Sequence, residues 1–167
     1  MKKICLTLTI VVFLLISSKG MQAQTLQTKL NQVELMKQYV GTWKAQIAKD
    51  TAMIFDITPF GNAYEGNINW IVKGQIINSG KWLWGYDKKR DKFIVEELWK
   101  YIDPVRIDAY WFTSDNTAES VPLYNISNPE LSSSKAKLEI KSPDLIIHYF
   151  LRDNKVVNTY TYTREKK

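Results

Sequence analysis

The amino-acid sequence predicts an all-β fold: an up-and-down antiparallel β-barrel of about eight to ten strands, preceded by a short N-terminal α-helix. From residue 42 onward, no segment keeps the 3.6-residue spacing of apolar residues that marks a helix. Instead, short runs rich in Ile, Val, Tyr, Trp and Thr alternate with turn residues. So many closely spaced strands favour a barrel, because closure removes the exposed sheet edges that invite aggregation.

The first 23 residues differ in composition from the rest of the chain. Lys2 and Lys3 precede an uncharged, mostly apolar run from Ile4 to Ile16, and Ala23 closes the short segment that follows. This layout is typical of a secretory signal peptide, and the run is too short to span a membrane comfortably. We therefore expect cleavage near Ala23, a secreted or bacterial periplasmic protein, and no stable membrane insertion afterwards. A retained membrane anchor is the alternative.

The remaining chain, residues 24–167, is expected to form one domain. The removed segment carries three lysines and no acidic residue, so the net charge falls from +6 to +3. This mild excess does not favour a nucleic-acid partner, which calls for a clustered basic surface. The single cysteine, Cys5, lies in the removed segment, so the mature chain can form neither a disulfide nor a thiolate metal site.

A helix is predicted at about residues 28–40, where apolar side chains recur on one helical face. Asn31 and Glu34 have the spacing of a capping box, so the firm part of the helix is expected to begin near residue 32. Gly41 is a natural helix stop, because glycine tolerates a left-handed conformation at a helix C-terminus.

Ten runs after Gly41 have the composition of strands. The segments between them, among them "PFGN", "DKKRD" and "SNPELSSS", contain the Gly, Pro, Asn, Asp or Ser that turns require. The predicted strands are 42–49, 51–58, 63–72, 75–86, 92–102, 105–113, 117–126, 135–142, 144–152 and 155–164.

An even number of strands brings the two ends of the barrel chain together. In an up-and-down barrel of ten strands, the last strand ends at the rim where the first one begins. The residue opposite Trp43 should therefore come from the C-terminal "TYTYTREKK", in which Arg164 is the best candidate. A guanidinium on an indole face is stabilising, and its free donors can bond to carbonyls of the preceding helical turn.

Gly41-Thr42-Trp43, at the entry to the first strand, resembles the Gly-x-Trp signature of lipocalins and the wider calycin group. In that group, an arginine near the end of the last strand packs across the tryptophan at the closed end of the barrel, and Arg164 has that position. The nearest resemblance is to small secreted bacterial lipocalin-like proteins, many of which lack an assigned function. The resemblance implies a structural plug made of Gly41, Trp43 and Arg164.

The strands carry an unusual load of aromatic residues. Trp82 and Trp84 are two apart, so they share one face of a strand. The aromatic residues are expected either to fill a tight core or to line a cavity suited to an apolar or flat ligand with a polar end. On the cavity hypothesis, the candidate ligand-binding residues are Trp70, Trp82, Trp84, Glu97, Trp99, Arg106, Trp111, Asn158, Tyr160 and Tyr162.

Two strands leave the direction of their side chains open. If Arg164 points inward, Asn158, Tyr160 and Tyr162 point inward as well, because their numbers differ by two. Arg106 could bind a ligand carboxylate if its face of the strand is the inner one, and is otherwise a surface charge. The opposite face of that strand, residues 105, 107, 109 and 111, is apolar and ends with Trp111.

Catalytic machinery is sparse, and whether the protein is an enzyme stays open, with non-catalytic binding favoured. His148 is the single histidine, which excludes a multi-histidine zinc site. Some bacterial barrels of this class bind haem through one histidine near the C-terminus, but Ala45 and Ile47 replace the glycines of their fuller motif. We expect a satisfied or half-exposed His148, no cofactor and no metal. An inward Glu97 could act as a base in an apolar setting, although a structural, hydrogen-bonded role is favoured.

The sequence therefore predicts a secreted lipocalin-like barrel that binds a small hydrophobic or amphipathic molecule non-covalently. One alternative is a filled barrel that acts as a protein-interaction or inhibitor module, with an apolar patch on its outer wall. The other is a small isomerase, dehydratase or hydrolase that uses a carboxylate in the barrel. The sequence leaves the oligomeric state open.

Overall fold

A computed structural model describes residues 29–166 of the chain. The predicted signal peptide, residues 1–23, lies outside this range. The described part begins with helix α1 (Gln32–Met36), continues into a 3₁₀ turn (Lys37–Tyr39), and then forms strands alone apart from two further 3₁₀ turns. Among residues 29–166, no helix has the length and apolar character needed to cross a membrane.

The strands of the described range are β1 (Gly41–Ala48), β2 (Thr51–Phe60), β3 (Ala63–Val72), β4 (Gln75–Asp87), β5 (Lys92–Trp99), β6 (Ile102–Ser114), β7 (Thr117–Pro122), β8 (Ser134–Ser142), β9 (Leu145–Arg152) and β10 (Lys155–Arg164). Each strand pairs antiparallel with its neighbour in sequence, and β10 pairs with β1 to close the barrel. The predicted all-β class, the ten strands and the up-and-down closure are confirmed.

Two strands end several residues earlier than predicted, and the first of them, β5, stops at Trp99 instead of residue 102. The run 117–126 was expected to be extended throughout, but β7 stops at Pro122 and two 3₁₀ turns follow, at Leu123–Asn125 and Pro129–Leu131. A proline has no backbone N–H to donate to a neighbouring strand, so it marks a natural strand end. The resulting connection to β8 is the longest loop of the barrel.

The helix is shorter than predicted and closes one end of the barrel. It begins at Gln32, where the Asn31 side chain accepts a hydrogen bond from the Glu34 N–H at 3.2 Å, so the predicted N-terminal cap is present. Met36 and Tyr39 are fully buried against the barrel interior. We call this end the closed end; the opposite end contains the β7–β8 loop.

Gln32 attaches the helix to the barrel wall. Its side-chain amide donates to the Phe112 carbonyl at 3.0 Å and accepts from the Phe112 N–H at 2.7 Å. The side chain thus bonds to the backbone of β6 as a neighbouring strand would, close to the register shift between Phe112 and Ser114. Gln32 is only 6% exposed, and both polar ends of its amide are bonded, as burial demands.

Trp43 and Arg164 meet at the closed end, as strand counting predicts. They are partners in the β1–β10 ladder, and the Arg164 guanidinium carbon lies 4.1 Å from the centre of the Trp43 ring. Arg164 also donates to the carbonyls of Val40 at 2.5 Å, Gln38 at 2.9 Å and Pro143 at 2.9 Å. The buried indole N–H of Trp43 donates to the Tyr39 carbonyl at 2.9 Å.

Gly41 is required by the approach of this arginine as well as by its backbone conformation. It is the first residue of β1 and has a φ of +125°, a value that residues with a Cβ rarely adopt. A Cβ at this position would lie 2.5 Å from Nη1 of Arg164. A side chain on residue 41 would therefore push the guanidinium off the Trp43 ring.

Candidate functional site

The barrel interior contains a partly open cavity of about 160 Å³. Tyr39 lies on its closed side, and residues of the nine strands β2 to β10 complete the wall. The aromatic lining residues are Tyr39, Phe55, Trp82, Trp84, Trp99, Tyr110, Phe150 and Tyr162. Apolar side chains, among them Met53, Ile57, Ile68, Val95 and Leu138, fill most of the gaps between these rings.

The aromatic lining is held in edge-to-face packing, which fixes the shape of the cavity. The Trp84 ring meets Tyr110 at 5.1 Å and an interplanar angle of 80°, and meets Trp82 at 6.1 Å and 77°. On the opposite wall, Phe55 and Tyr162 pack at 4.9 Å and 62°. Such pairs stabilise the wall beyond the area that they bury.

A charged strip runs along β5 and β6 on the cavity wall. Trp82, Glu97 and Arg106 are aligned across the three neighbouring strands β4, β5 and β6. Arg106 forms an ion pair with Asp108, with 2.7 Å between Nε and Oδ2. Burial raises the pKa of Asp108, and the neighbouring Arg106 opposes that shift. Arg106 is 41% exposed, so the strip reaches from solvent into the cavity.

Glu97 has a structural partner within the same strip. The Trp99 indole N–H donates a hydrogen bond to Oε1 of Glu97. Because residues 97 and 99 lie on one face of β5, this bond holds the indole along the wall. Glu97 thus has the hydrogen-bonded setting that the sequence favours for it.

His148 lines the cavity from β9. Its ring centre lies 4.9 Å from Tyr162 and 6.4 Å from Phe55, and its Nε2 atom is buried without a hydrogen-bond partner. Burial lowers the pKa of His148 to about 3, so the imidazole is neutral at neutral pH. The residue as a whole is half-buried, as expected, although the aromatic residues around the ring offer Nε2 no partner.

In the described part of the chain, the buried side-chain atoms without hydrogen-bond partners belong to residues of this cavity. Within residues 29–166, six buried side-chain nitrogen or oxygen atoms have no hydrogen-bond partner, and every one belongs to a residue that lines the cavity. They are Tyr39 Oη, Trp82 Nε1, Trp84 Nε1, Asp108 Oδ1, Tyr110 Oη and His148 Nε2. Burial also raises the pKa of the Tyr39 and Tyr110 hydroxyls, which neighbour each other.

Six of the ten predicted ligand-binding residues line the cavity: Trp82, Trp84, Glu97, Trp99, Arg106 and Tyr162. Trp70 packs against the core from β3 without contributing to the lining. Tyr160 faces inward but packs on Phe150, with ring centres 5.4 Å apart. Asn158 is exposed near the start of β10 and donates to the Tyr160 hydroxyl at 2.7 Å. The cavity lining therefore does not include Trp70, Tyr160 or Asn158.

Trp111, the tenth candidate, lies on the outer face of the barrel. Tyr110 and Phe112 on either side of it are buried in the interior, so the side chain between them points outward. There the Lys92 ammonium sits 3.3 Å from the centre of the Trp111 ring. Trp111 therefore does not line the cavity, because β6 turns its charged face, with Arg106 and Asp108, toward the interior.

Sequence reasoning missed several lining residues, for which the sequence does carry a signal. Asp108 and Tyr110 share a strand face with Arg106, and Phe55 alternates with Met53 and Ile57 along β2, so each set follows from one correctly assigned face. Tyr39 is different, because only the docking of the helical turn places it against the barrel interior.

Comparisons with known proteins add no name to this site. No family model, curated protein or solved structure matches the chain. Within residues 29–166, no three His, Cys, Asp or Glu side chains are grouped so that they could hold a metal ion.

Proposed function

We propose that this protein is a lipocalin-like binding protein that holds a small apolar or amphipathic molecule non-covalently inside its barrel. The observation that carries this proposal is the cavity of about 160 Å³ behind the helix-covered end, with its lining of aromatic and aliphatic side chains. Binding sites for small molecules are typically such concave, mostly apolar spaces with a few placed polar groups.

Core packing supports the proposal. Protein interiors are packed nearly as densely as organic crystals, and voids larger than a water molecule are few. Around this cavity, bulky rings such as Trp82 and Phe55 hold one another in place across the interior and still leave space. A filled barrel, the first alternative, requires an interior without a cavity, so the observed space counts against it.

The size of the cavity limits the ligand. An apolar cavity of roughly 150 Å³ in another protein admits benzene, whereas sites for drug-sized ligands measure roughly 300–1,000 Å³. A cavity of about 160 Å³ therefore suits a molecule built on a single ring or a short branched chain.

The Gly41-Thr42-Trp43 motif supports the lipocalin-like assignment. Gly41 leaves room for the Arg164 side chain, and the Trp43 ring packs against the Arg164 guanidinium. Both contacts are ones that the family resemblance implies. The family likeness bears on the architecture of the closed end. The ligand is argued from the cavity alone, since one fold serves many functions.

The indole N–H signals of the protein provide a direct test. In a titration with toluene followed by ¹H–¹⁵N correlation spectra, the signals of Trp82 and Trp84 should shift in a saturable way. The Trp111 signal should stay in place, because its indole lies on the outer face. No saturable shift of either inner indole at the solubility limit of toluene would refute the proposal.

A matched pair of variants completes this test. Ala136 lines the cavity, whereas Thr161 is exposed on the outer face of β10. Ala136→Phe should fill the cavity and abolish the toluene shifts, and Thr161→Phe should leave them unchanged. Equal responses from the two variants would show that toluene binds elsewhere.

A further inference from the structure

The polar groups of the lining residues indicate what a complementary ligand carries, since six of their buried atoms have no hydrogen-bond partner. The indole N–H groups of Trp82 and Trp84 can only donate hydrogen bonds, and the carboxyl oxygen Asp108 Oδ1 accepts them. The hydroxyls of Tyr39 and Tyr110 can do either. Buried polar groups are nearly always paired, and each unpaired one costs stability until a partner bonds to it. A complementary ligand therefore offers acceptors to the indoles and a donor to the carboxyl group.

The charges around the cavity disfavour an anionic ligand. Two cations are among the lining residues, and each already has a carboxylate partner within the chain: Arg106 pairs with Asp108 at 2.7 Å, and Lys137 pairs with Glu139 at 2.9 Å. Glu97 adds a second carboxyl group to the strip. Arg106 faces the cavity, as a role in binding a ligand carboxylate requires, but its Nε is already paired with Asp108, which reduces its attraction for an anion.

The indole N–H donors of the cavity wall disfavour a cationic ligand. An ammonium or amidinium group carries donors and no acceptor. It could approach Asp108, but it would leave the two indole N–H groups of Trp82 and Trp84 without partners. His148 adds no positive charge of its own, because burial keeps its imidazole neutral at neutral pH.

The shape of the wall adds a further restriction. The rings of Trp82, Trp84 and Tyr110 stand edge to face with one another, so a flat molecule can lie against one ring and meet the edge of the next. Within about 160 Å³, such a molecule consists of one ring with one small polar substituent.

We propose that the preferred ligand is a neutral, single-ring aromatic molecule whose substituent carries both an acceptor and a donor, as an aromatic carboxamide does. The carbonyl oxygen accepts from the indole N–H groups of Trp82 and Trp84, and the amide N–H donates to Oδ1 of Asp108. This inference rests on the proposed function, because it specifies the ligand of the same cavity.

Calorimetric titration with four one-ring probes tests the inference. Benzamide, benzoate, benzamidinium and toluene share the ring and differ in the charge and hydrogen-bonding capacity of the substituent. Benzamide should bind most tightly, by about tenfold or more over each of the others, as two or more satisfied hydrogen bonds would give. Tightest binding of benzoate or benzamidinium would overturn the inference. So would equal binding of toluene and benzamide, although the proposed function would stand in all three cases.

Ring-preserving variants locate the hydrogen bonds. Trp82→Phe and Tyr110→Phe each keep an aromatic ring in the wall and remove one polar group. Trp82→Phe should weaken the binding of benzamide by about three- to tenfold, as expected for one lost hydrogen bond. It should leave the affinity for toluene unchanged. Trp111→Phe is the matched control on the outer face and should change neither affinity. Tyr110→Phe removes a hydroxyl that has no partner, so it should fold at least as well as the parent.

Failure of the inference and failure of the function give different results. If Trp82→Phe binds benzamide as the parent does, the polar assignment is wrong even if toluene still binds. If none of the four probes binds and the inner indole signals do not move, the proposed function itself fails.

Discussion

The Arg164 guanidinium should account for a large part of the stability of the barrel closure. The substitution Arg164→Met keeps an unbranched apolar stem and removes the charged group. It abolishes three hydrogen bonds to the carbonyls of Gln38, Val40 and Pro143 and the contact with the Trp43 ring.

The magnitude follows from these contacts. A hydrogen bond to a charged group contributes about 1.5–3 kcal/mol when buried, and a cation–π contact about 0.5–2 kcal/mol. Arg164 is 26% exposed, so water reaches part of the group and replaces part of the loss. We expect the free energy of unfolding to fall by about 2–4 kcal/mol. At a typical dependence of this free energy on urea concentration, the unfolding midpoint should fall by about 1–2 M urea.

Equilibrium urea unfolding followed by tryptophan fluorescence measures this loss. Arg152→Met is the matched control, because Arg152 is exposed at the end of the neighbouring strand β9, and its midpoint should shift by less than about 0.3 M. Arg164→Lys keeps the positive charge but loses the planar set of guanidinium donors. Its urea midpoint should therefore lie between those of the parent and Arg164→Met. Equal midpoints for Arg164→Met and Arg152→Met would refute the proposed role of the plug.

Three further predictions concern the closed end, the helix attachment and the buried histidine. Gly41→Ala should destabilise by about 1–3 kcal/mol in urea unfolding, because its φ of +125° and the close Arg164 side chain reject a Cβ; an unchanged midpoint would contradict this. Gln32→Leu should cost about 2–4 kcal/mol by leaving the buried N–H and carbonyl of Phe112 unpaired, and a loss below about 0.5 kcal/mol would show that water replaces the amide. Because the folded pKa of His148, about 3, lies below the unfolded value of 6.5, the unfolded state takes up the proton first and stability falls as the pH falls. The parent should therefore lose about 1.5–2 kcal/mol more than His148→Phe between pH 6.5 and 5, and parallel losses would contradict the burial of a neutral imidazole.

The architecture could be predicted because strand signals are local. Runs of β-branched and aromatic residues between turn residues predicted all ten strands. The even number of strands then predicted that Trp43 lies opposite Arg164, as it does. The end of β7 was placed too late because the extended composition continues past Pro122, where the chain instead forms 3₁₀ turns.

The cavity wall could be predicted only in part. Alternation along β6 identifies two faces but not which one is inner, and both carry large side chains. The apolar content of the face with Trp111 favoured the wrong one, while the structure turns Arg106 and Asp108 inward, where they neutralise each other. The attachment of the helix through Gln32 joins residues 80 positions apart, a contact that no local pattern in the sequence indicates.

Native mass spectrometry of the protein purified gently from its native host, before and after denaturation, tests directly whether the barrel carries a ligand. The parent should carry a small molecule that denaturation releases, and Ala136→Phe, whose cavity is filled, should carry none. Circular dichroism of Ala136→Phe confirms that the variant is folded. If both proteins have the same mass before and after denaturation, or release the same molecule, the cavity is not a binding site.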